Sequence, residues 1–341
     1  MKKKKIVTIG GGTGQVPLIS GLKEYPYEIT AIVTMADDGG STGKLRDELG
    51  VLPPGDAMKC LVALSEAPNM LRTLMNYRFE EGGLKGHSFG NLFISALEKV
   101  NGSFSSGMHE AARILRVRGQ VLPSSEDDMR LQIFLKNGDV LNGETHLDEH
   151  RDIAKHGIDH IALAKPARAH KASVEAIMEA DYVIIGPGDL YGSHLPNFLV
   201  SGIAKAVKKT RAKCIFIAPL TNKKGHSENF SIDQYVHILE QFIGKSRIDY
   251  VILNTKRPQK EILERYEKKE GKNSFVSRID TDSDRQYKVL TGDFLSRQKH
   301  TQKKGDALAQ TRAFIRHDAV KIGKAVSYLA EYGGKDPFDI I

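Results

Sequence analysis

Several short runs in this chain combine glycine with polar side chains at spacings that suit phosphate chemistry. The first is Gly10-Gly11-Gly12-Thr13-Gly14, directly after the apolar run Ile6–Ile9. Glycine lets the backbone come close to an anion, and the free N–H groups and dipole of a helix start favour negative charge there. Gly11, Gly12, Thr13 and Gly14 are therefore candidate phosphate contacts. The run matches the first two glycines of the dinucleotide fingerprint GxGxxG, but Gln15 stands in the third place and leaves that fingerprint incomplete.

The second run, Asp37-Asp38-Gly39-Gly40-Ser41-Thr42-Gly43, follows a second apolar strand, Ile29–Met35. Adjacent carboxylates can hold Mg²⁺ beside a diphosphate, or one can act as a base. Asp37 and Asp38 are thus the candidate metal ligands and, in an enzyme, the candidate catalytic pair. Ser41 and Thr42 add hydroxyls at a helix start. Pro53-Pro54-Gly55-Asp56 is a stiff turn before a helix. Gly86-His87-Ser88-Phe89-Gly90-Asn91 is a glycine-flanked loop in which His87 and Asn91 can touch a phosphate or sugar. Gly186-Pro187-Gly188-Asp189-Leu190-Tyr191 repeats the glycine turn after another apolar strand, with Gly186 and Gly188 as contacts. Asn222 and Asn254 also follow expected strands. Later in the chain, Tyr266 could stack on a base and Arg316 could clamp a diphosphate bidentately. A set of loops opening on one sheet edge makes a credible binding site where a single loop would not.

The elements that must position these residues read as an α/β fold. Ile6–Ile9, Ile29–Met35, Tyr182–Ile185, Cys214–Ala218 and Tyr250–Leu253 are short apolar runs of the kind buried on both faces of a parallel sheet. Between them lie helical segments such as Val174–Glu179, Pro196–Lys208 and Ile232–Phe242, with Asp318–Tyr332 as a closing helix. Such alternation predicts a doubly wound, mostly parallel, Rossmann-like sheet. Gln120–Leu122, Leu131–Leu135 and the turn Lys136-Asn137-Gly138-Asp139 predict an antiparallel hairpin excursion over residues 120–147. The expected organisation is a single domain over residues 1–341, with 256–304 a polar, basic, irregular and flexible excursion.

Composition narrows the class. Apolar residues make up 40% of the 341, normal for a globular protein. Cys60 and Cys214, both in apolar runs, read as buried free thiols of a reducing compartment. No run approaches the ~18 apolar residues of a membrane span, and Lys2–Lys5 leads straight into a strand rather than into a signal core. A cytoplasmic location is expected. The net charge is +8, and residues 255–304 hold 14 Lys and Arg against 8 Asp and Glu. With no Trp and no nucleic-acid module, that excess suits a polyanionic small ligand better than a nucleic acid. The oligomeric state stays open, a homo-oligomer included.

Taken together, GGGTG, DDGGSTG, PPGD, GHSFGN and GPGDLY, in this order, resemble the CofD-like superfamily over nearly the whole chain. LRVRGQVLP, the Gly143-Glu144 pair after the hairpin and Arg316-His317-Asp318 are closest to its YvcK branch, the gluconeogenesis factors. The resemblance implies a doubly wound fold with Asp37, Asp38 and Asn91 near a diphosphate and a divalent metal. It also implies a regulator that binds UDP-sugars such as UDP-N-acetylglucosamine, supports cell shape and wall synthesis on gluconeogenic carbon, and signals through an unidentified protein partner. The superfamily's enzyme branch implies the alternative, a transferase of 2-phospholactate to a deazaflavin acceptor that uses Mg²⁺ and a nucleoside diphosphate. A composition of 7% aromatics gives little sign of a pocket for that large planar acceptor. One departure stands out: where the family usually shows a Gln-Pro-Gly-Glu-Thr-like run, this chain has Asn222-Lys223-Lys224-Gly225-His226, without the acid.

Overall fold

A computed structural model describes residues 3–148, 151–272, 274–276, 278–280, 284–297 and 315–333. Its strands are β1 (Lys5–Gly10), β2 (Glu28–Val33), β3 (Gln120–Pro123), β4 (Leu131–Leu135), β5 (Val140–Asn142), β6 (Ile158–Leu163), β7 (Tyr182–Ile185), β8 (Lys213–Ile217), β9 (Tyr250–Asn254) and β10 (Lys288–Gly292). The N-terminal helices are α1 (Gly12–Leu22), α2 (Gly40–Leu49), α3 (Gly55–Leu64), α4 (Asn69–Met75), α5 (Phe89–Asn101), α6 (Phe104–Ile114) and α7 (Arg151–His156). They are followed by α8 (Lys171–Glu179), α9 (Leu195–Leu199), α10 (Ser201–Lys209), α11 (Ile232–Ile243), α12 (Lys260–Glu270) and α13 (Ala319–Tyr332).

Seven strands form one sheet in the order β10-β9-β8-β7-β1-β2-β3, and every pairing in it is parallel. Parallel strands need crossover helices, and those helices bury both faces. The inner strands show it: Ile6, Ile9, Val183, Ile184, Ile185, Ile215 and Phe216 are sealed from solvent. Cys60 and Cys214 are buried and free, and burial pushes both thiols up, Cys214 to about 12. The chain winds outward from β1 in both directions, toward β2 and β3 on one side and toward β7 on the other. The sheet therefore has its switch point between β1 and β7, the place where doubly wound folds open a crevice at their strand ends.

The expected hairpin is present, with Leu135 N–H donating to the Asp139 carbonyl and Gly138 at φ 93°. The excursion differs from its predicted bounds at both ends. β3 joins the main sheet beside β2, and the third strand of the small antiparallel sheet, ordered β5-β4-β6, is β6.

Residues 256–304 are not an irregular excursion where they are described: they hold α12 and the edge strand β10, while residues 298–304 lie outside the described residues. α12 reads KEILERYEKKE, so charge dominates its composition and only Tyr266 and Glu270 are buried. In β10 a single large apolar side chain, Leu290, is buried. Neither leaves a strong periodic signal.

Candidate functional site

The glycine turn after β1 is itself the first turn of a helix. Gly11 is the N-cap of α1 in extended backbone, no side chain caps it, and no acid sits in the first turn. The leading N–H groups of α1 thus meet no capping side chain, the arrangement that attracts an anion. The second glycine turn packs directly on the first. A Cβ at Gly14 would lie 1.8 Å from the Pro187 carbonyl oxygen, and one at Gly12 would lie 2.6 Å from Asp56. Only glycine permits these approaches, and they bring the loops after β1 and β7 and the start of α3 to one place.

A cleft of about 300 Å³ opens over this contact. Of the residues singled out in the sequence, Gly12, Thr13, Gly14, Asp37, Gly188, Tyr266 and Arg316 line it. Its remaining titratable groups are Lys59, Lys269 and Glu270, whose spacing carried little signal, and Asp56, Glu144, Asp189, Lys223 and His317, which lie in quoted motifs without having been singled out as contacts. Lys59 meets Asp56, one helical turn back on α3, at 2.9 Å. The run Asn222-Lys223-Lys224-Gly225-His226 brings Lys223 to the cleft. Burial alone would raise the Asp189 carboxyl, but Lys223 at 3.6 Å, His226 at 3.8 Å and the Gly192 N–H outweigh it and hold the group at about 2.

The adjacent carboxylates of Asp37 and Asp38 part company. Asp37 lines the cleft and accepts from the Gly39 N–H at 2.9 Å; burial first, and then the charge of Asp56, raise its carboxyl to about 6. Asp38 accepts from the N–H groups of Glu144 at 3.1 Å and Thr145 at 2.9 Å, fastening the 3-10 turn Glu144–Asp148 to the loop after β2. Among the described residues, no three His, Cys, Asp or Glu side chains group to hold a metal.

Ser41, Thr42, His87 and Asn91 form a buried layer beside Asp37. Ser41 Oγ lies 3.0 Å from His87 Nδ1 and accepts from Asn91 Nδ2 at 3.3 Å. Thr42 Oγ1 and Asp37 Oδ2 both crowd Gly55, at 2.5 and 3.3 Å from where its Cβ would stand. Asn222 and Asn254 are not brought to the cleft wall. Asn222 donates to the Phe230 carbonyl and accepts from the Tyr235 hydroxyl; Asn254 donates to the Lys256 carbonyl and accepts from the Phe294 N–H. Both lock loops. Gly186 and Gly11 lie behind the wall, where the Gly186 carbonyl bonds His194 Nε2 at 2.6 Å and the Gly11 carbonyl accepts from Gln15 Nε2 at 2.9 Å. Tyr266 is 5% exposed, and its hydroxyl accepts from the Ile315 N–H at 3.2 Å, tying α12 to the segment that carries Arg316.

The family model described as 2-phospho-L-lactate transferase CofD matches residues 6–295. A Thermotoga maritima protein, named provisionally as a gluconeogenesis factor, is 41% identical over 330 residues, spanning 96% of this chain and all of its own. The gluconeogenesis factor of Halalkalibacterium halodurans is 38% identical, over 81% of this chain and 85% of its own. A crystal structure of a UPF0052 family protein from Bacillus halodurans superposes with a TM-score of 0.84 at 33% identity, over 96% of this chain and 99% of that one.

Proposed function

The chain belongs to the CofD family, among its gluconeogenesis factors, and we propose that it is a cytoplasmic regulator that binds a nucleotide sugar of the UDP-N-acetylglucosamine type in the cleft between β1 and β7. The observation that carries this reading is the contact of the two glycine turns. It presents the uncapped start of α1 at the floor of a cleft whose walls bear Lys59, Lys223, Lys269 and Arg316. A diphosphate sits over Gly12–Gly14, where N–H groups donate and these cations balance its charge. The base and sugar extend toward Tyr266 and the Arg316 segment. The cleft volume is at the lower end of the range for small-molecule sites, about 300–1,000 Å³.

A divalent ion accompanying the diphosphate would find Asp37 and Asp56 rather than Asp37 and Asp38, because both Asp38 oxygens already accept backbone N–H groups. In this reading the bound state is the signal, passed to a protein partner that supports cell shape and wall synthesis during growth on gluconeogenic carbon. The name of the matching family model keeps a second reading in view, a transferase of phosphorus-linked groups acting on a deazaflavin.

Calorimetry with UDP-N-acetylglucosamine, with and without Mg²⁺, tests both. The regulator binds and returns the nucleotide sugar intact, and Arg316→Ala weakens binding by roughly tenfold to a hundredfold, the loss of one charge-assisted contact of about 1.5–3 kcal/mol. Absence of binding to the unaltered protein would sink the proposal. Metal-dependent consumption of a phospholactyl nucleotide with a deazaflavin would replace it with the transferase.

A further inference from the structure

After the second glycine turn the chain runs Asp189-Leu190-Tyr191-Gly192-Ser193-His194 and closes into a π-helical turn over Leu190–His194. The Asp189 carbonyl accepts from the N–H groups of both Ser193, at 2.9 Å, and His194, at 3.1 Å, and the Asp189 carboxylate accepts from the Gly192 N–H at 2.7 Å. Turns this wide are rare and recur at functional sites. This one is tied to two strand ends. Asn197 Nδ2 donates to the Ser193 carbonyl at 2.8 Å and to the Gly10 carbonyl, at the end of β1, at 3.3 Å. The ring of His194 bonds the Gly186 carbonyl, just after β7, at 2.6 Å.

Ser193 lines the cleft and is half-buried. Its Oγ lies 3.0 Å from where a Cβ on Gly11 would stand and 3.2 Å from the same point on Gly188. A side chain at either position would cover the hydroxyl, and the two glycines leave it open at the seam of the two turns. Among the described residues no group bonds this hydroxyl, and its oxygen is not sealed from solvent. The groups around the seam decide what it meets. The leading N–H groups of α1 can only donate, and so can Lys59 on the same cleft. A hydroxyl with a proton to give joins them best around a group with several accepting oxygens, which describes a phosphate.

We propose that Ser193 is a further binding residue of the cleft: its hydroxyl donates to the same phosphoryl group that accepts from the N–H groups at the α1 start. The inference rests on the nucleotide-sugar reading above. It divides the labour between the two turns, since the loop after β1 supplies backbone donors and the π-helical turn after β7 supplies a side-chain donor. Hydrogen bonds to both strand ends hold Ser193 in place before a ligand arrives, so little ordering is left to offset on binding. A contact to the diphosphate is common to every ligand that carries one. Ser193 therefore sets how tightly the anion is held, and not which sugar is chosen.

Calorimetry on the full chain with UDP-N-acetylglucosamine and with UDP tests this. Ser193→Ala removes the hydroxyl and leaves no protein group short of a partner, so the unliganded variant should melt with the unaltered protein. It is expected to weaken both nucleotides by about tenfold or more, the loss of one hydrogen bond to a charged group. Should Ser193→Ala fail to fold, Ser193→Cys, whose thiol is only a weak donor, carries the same expectation. Undiminished binding of UDP by the folded variant overturns the inference. So does a loss confined to UDP-N-acetylglucosamine, which places the hydroxyl on the sugar, or a lowered melting temperature with unchanged affinity, which makes Ser193 structural. In those cases the unaltered protein still binds and the nucleotide-sugar reading stands. If the unaltered protein binds neither nucleotide, that reading fails and takes this inference with it.

Discussion

Gln15 shows how one side chain can change the meaning of a motif. It stands where a dinucleotide fold would have its third glycine, and it is fully buried. Its Nε2 donates to the carbonyls of Gly11 at 2.9 Å and Ile32 at 3.0 Å, and its Oε1 accepts from the Thr8 hydroxyl. Its Cγ lies 3.3 Å from the Cβ positions of both Gly10 and Gly186. The side chain thus pins β1, β2 and both glycine turns from behind, turning the Gly11 carbonyl inward. Gln15→Ala leaves three buried polar groups short of a partner and opens a small cavity. It should cost about 3 kcal/mol in urea denaturation; a cost under about 1 kcal/mol would show that the turn holds its shape without it. In the sequence this position could be read only as a missing glycine, since nothing in GGGTGQ says where the amide goes.

At the scale of elements, most of the parallel sheet was legible, because strands buried on both faces leave unbroken apolar runs such as Ile6–Ile9 and Tyr182–Ile185. The elements that escaped are those whose burial is partial. α12 shows charge on most of its surface, and β10 is a short edge strand with one large buried side chain. The site divided in the same way. The glycine turns were readable because glycine density at a strand end has few other causes. Lys59 and Lys269 were not, since a lone cation on a helix has many. Asp38 reads as a candidate metal ligand by its neighbour, and in the fold its carboxylate joins two substructures. Asp38→Ala should free the turn Glu144–Asp148. Hydrogen exchange at the Glu144 and Thr145 amides should quicken at least tenfold, with global stability lowered by only about 1–2 kcal/mol. Unchanged exchange there would show that the small sheet is held by other contacts.

For the whole molecule, buried titrating groups set the response to acid. Burial pulls His194 and His317 from 6.5 to about 4. Between those values the unfolded chain binds protons at these sites that the folded one refuses, so stability rises with pH and is lost on acidification. Each contributes about 3 kcal/mol over that window. Asp37 works the other way: its carboxyl, raised to about 6, takes up a proton in the fold first and offsets part of the loss. Two groups outweigh one, so the melting temperature should fall as pH drops from 6.5 to 4. It should fall further below pH 3.8 as the Asp189 carboxylate, held at about 2, loses its ion pairs. A melting temperature that is flat or rising from pH 6.5 down to 4 would contradict this balance. The pairing of β1 with β7 also has a consequence in time. Ile6 waits for Tyr182, and the cleft wall is finished only by Ile315–His317. During synthesis at about 5–20 residues per second, the first glycine turn leaves the ribosome many seconds before its counterpart exists. A growing chain therefore cannot complete the cleft wall until Ile315–His317 have been made, well over a hundred residues after the second glycine turn.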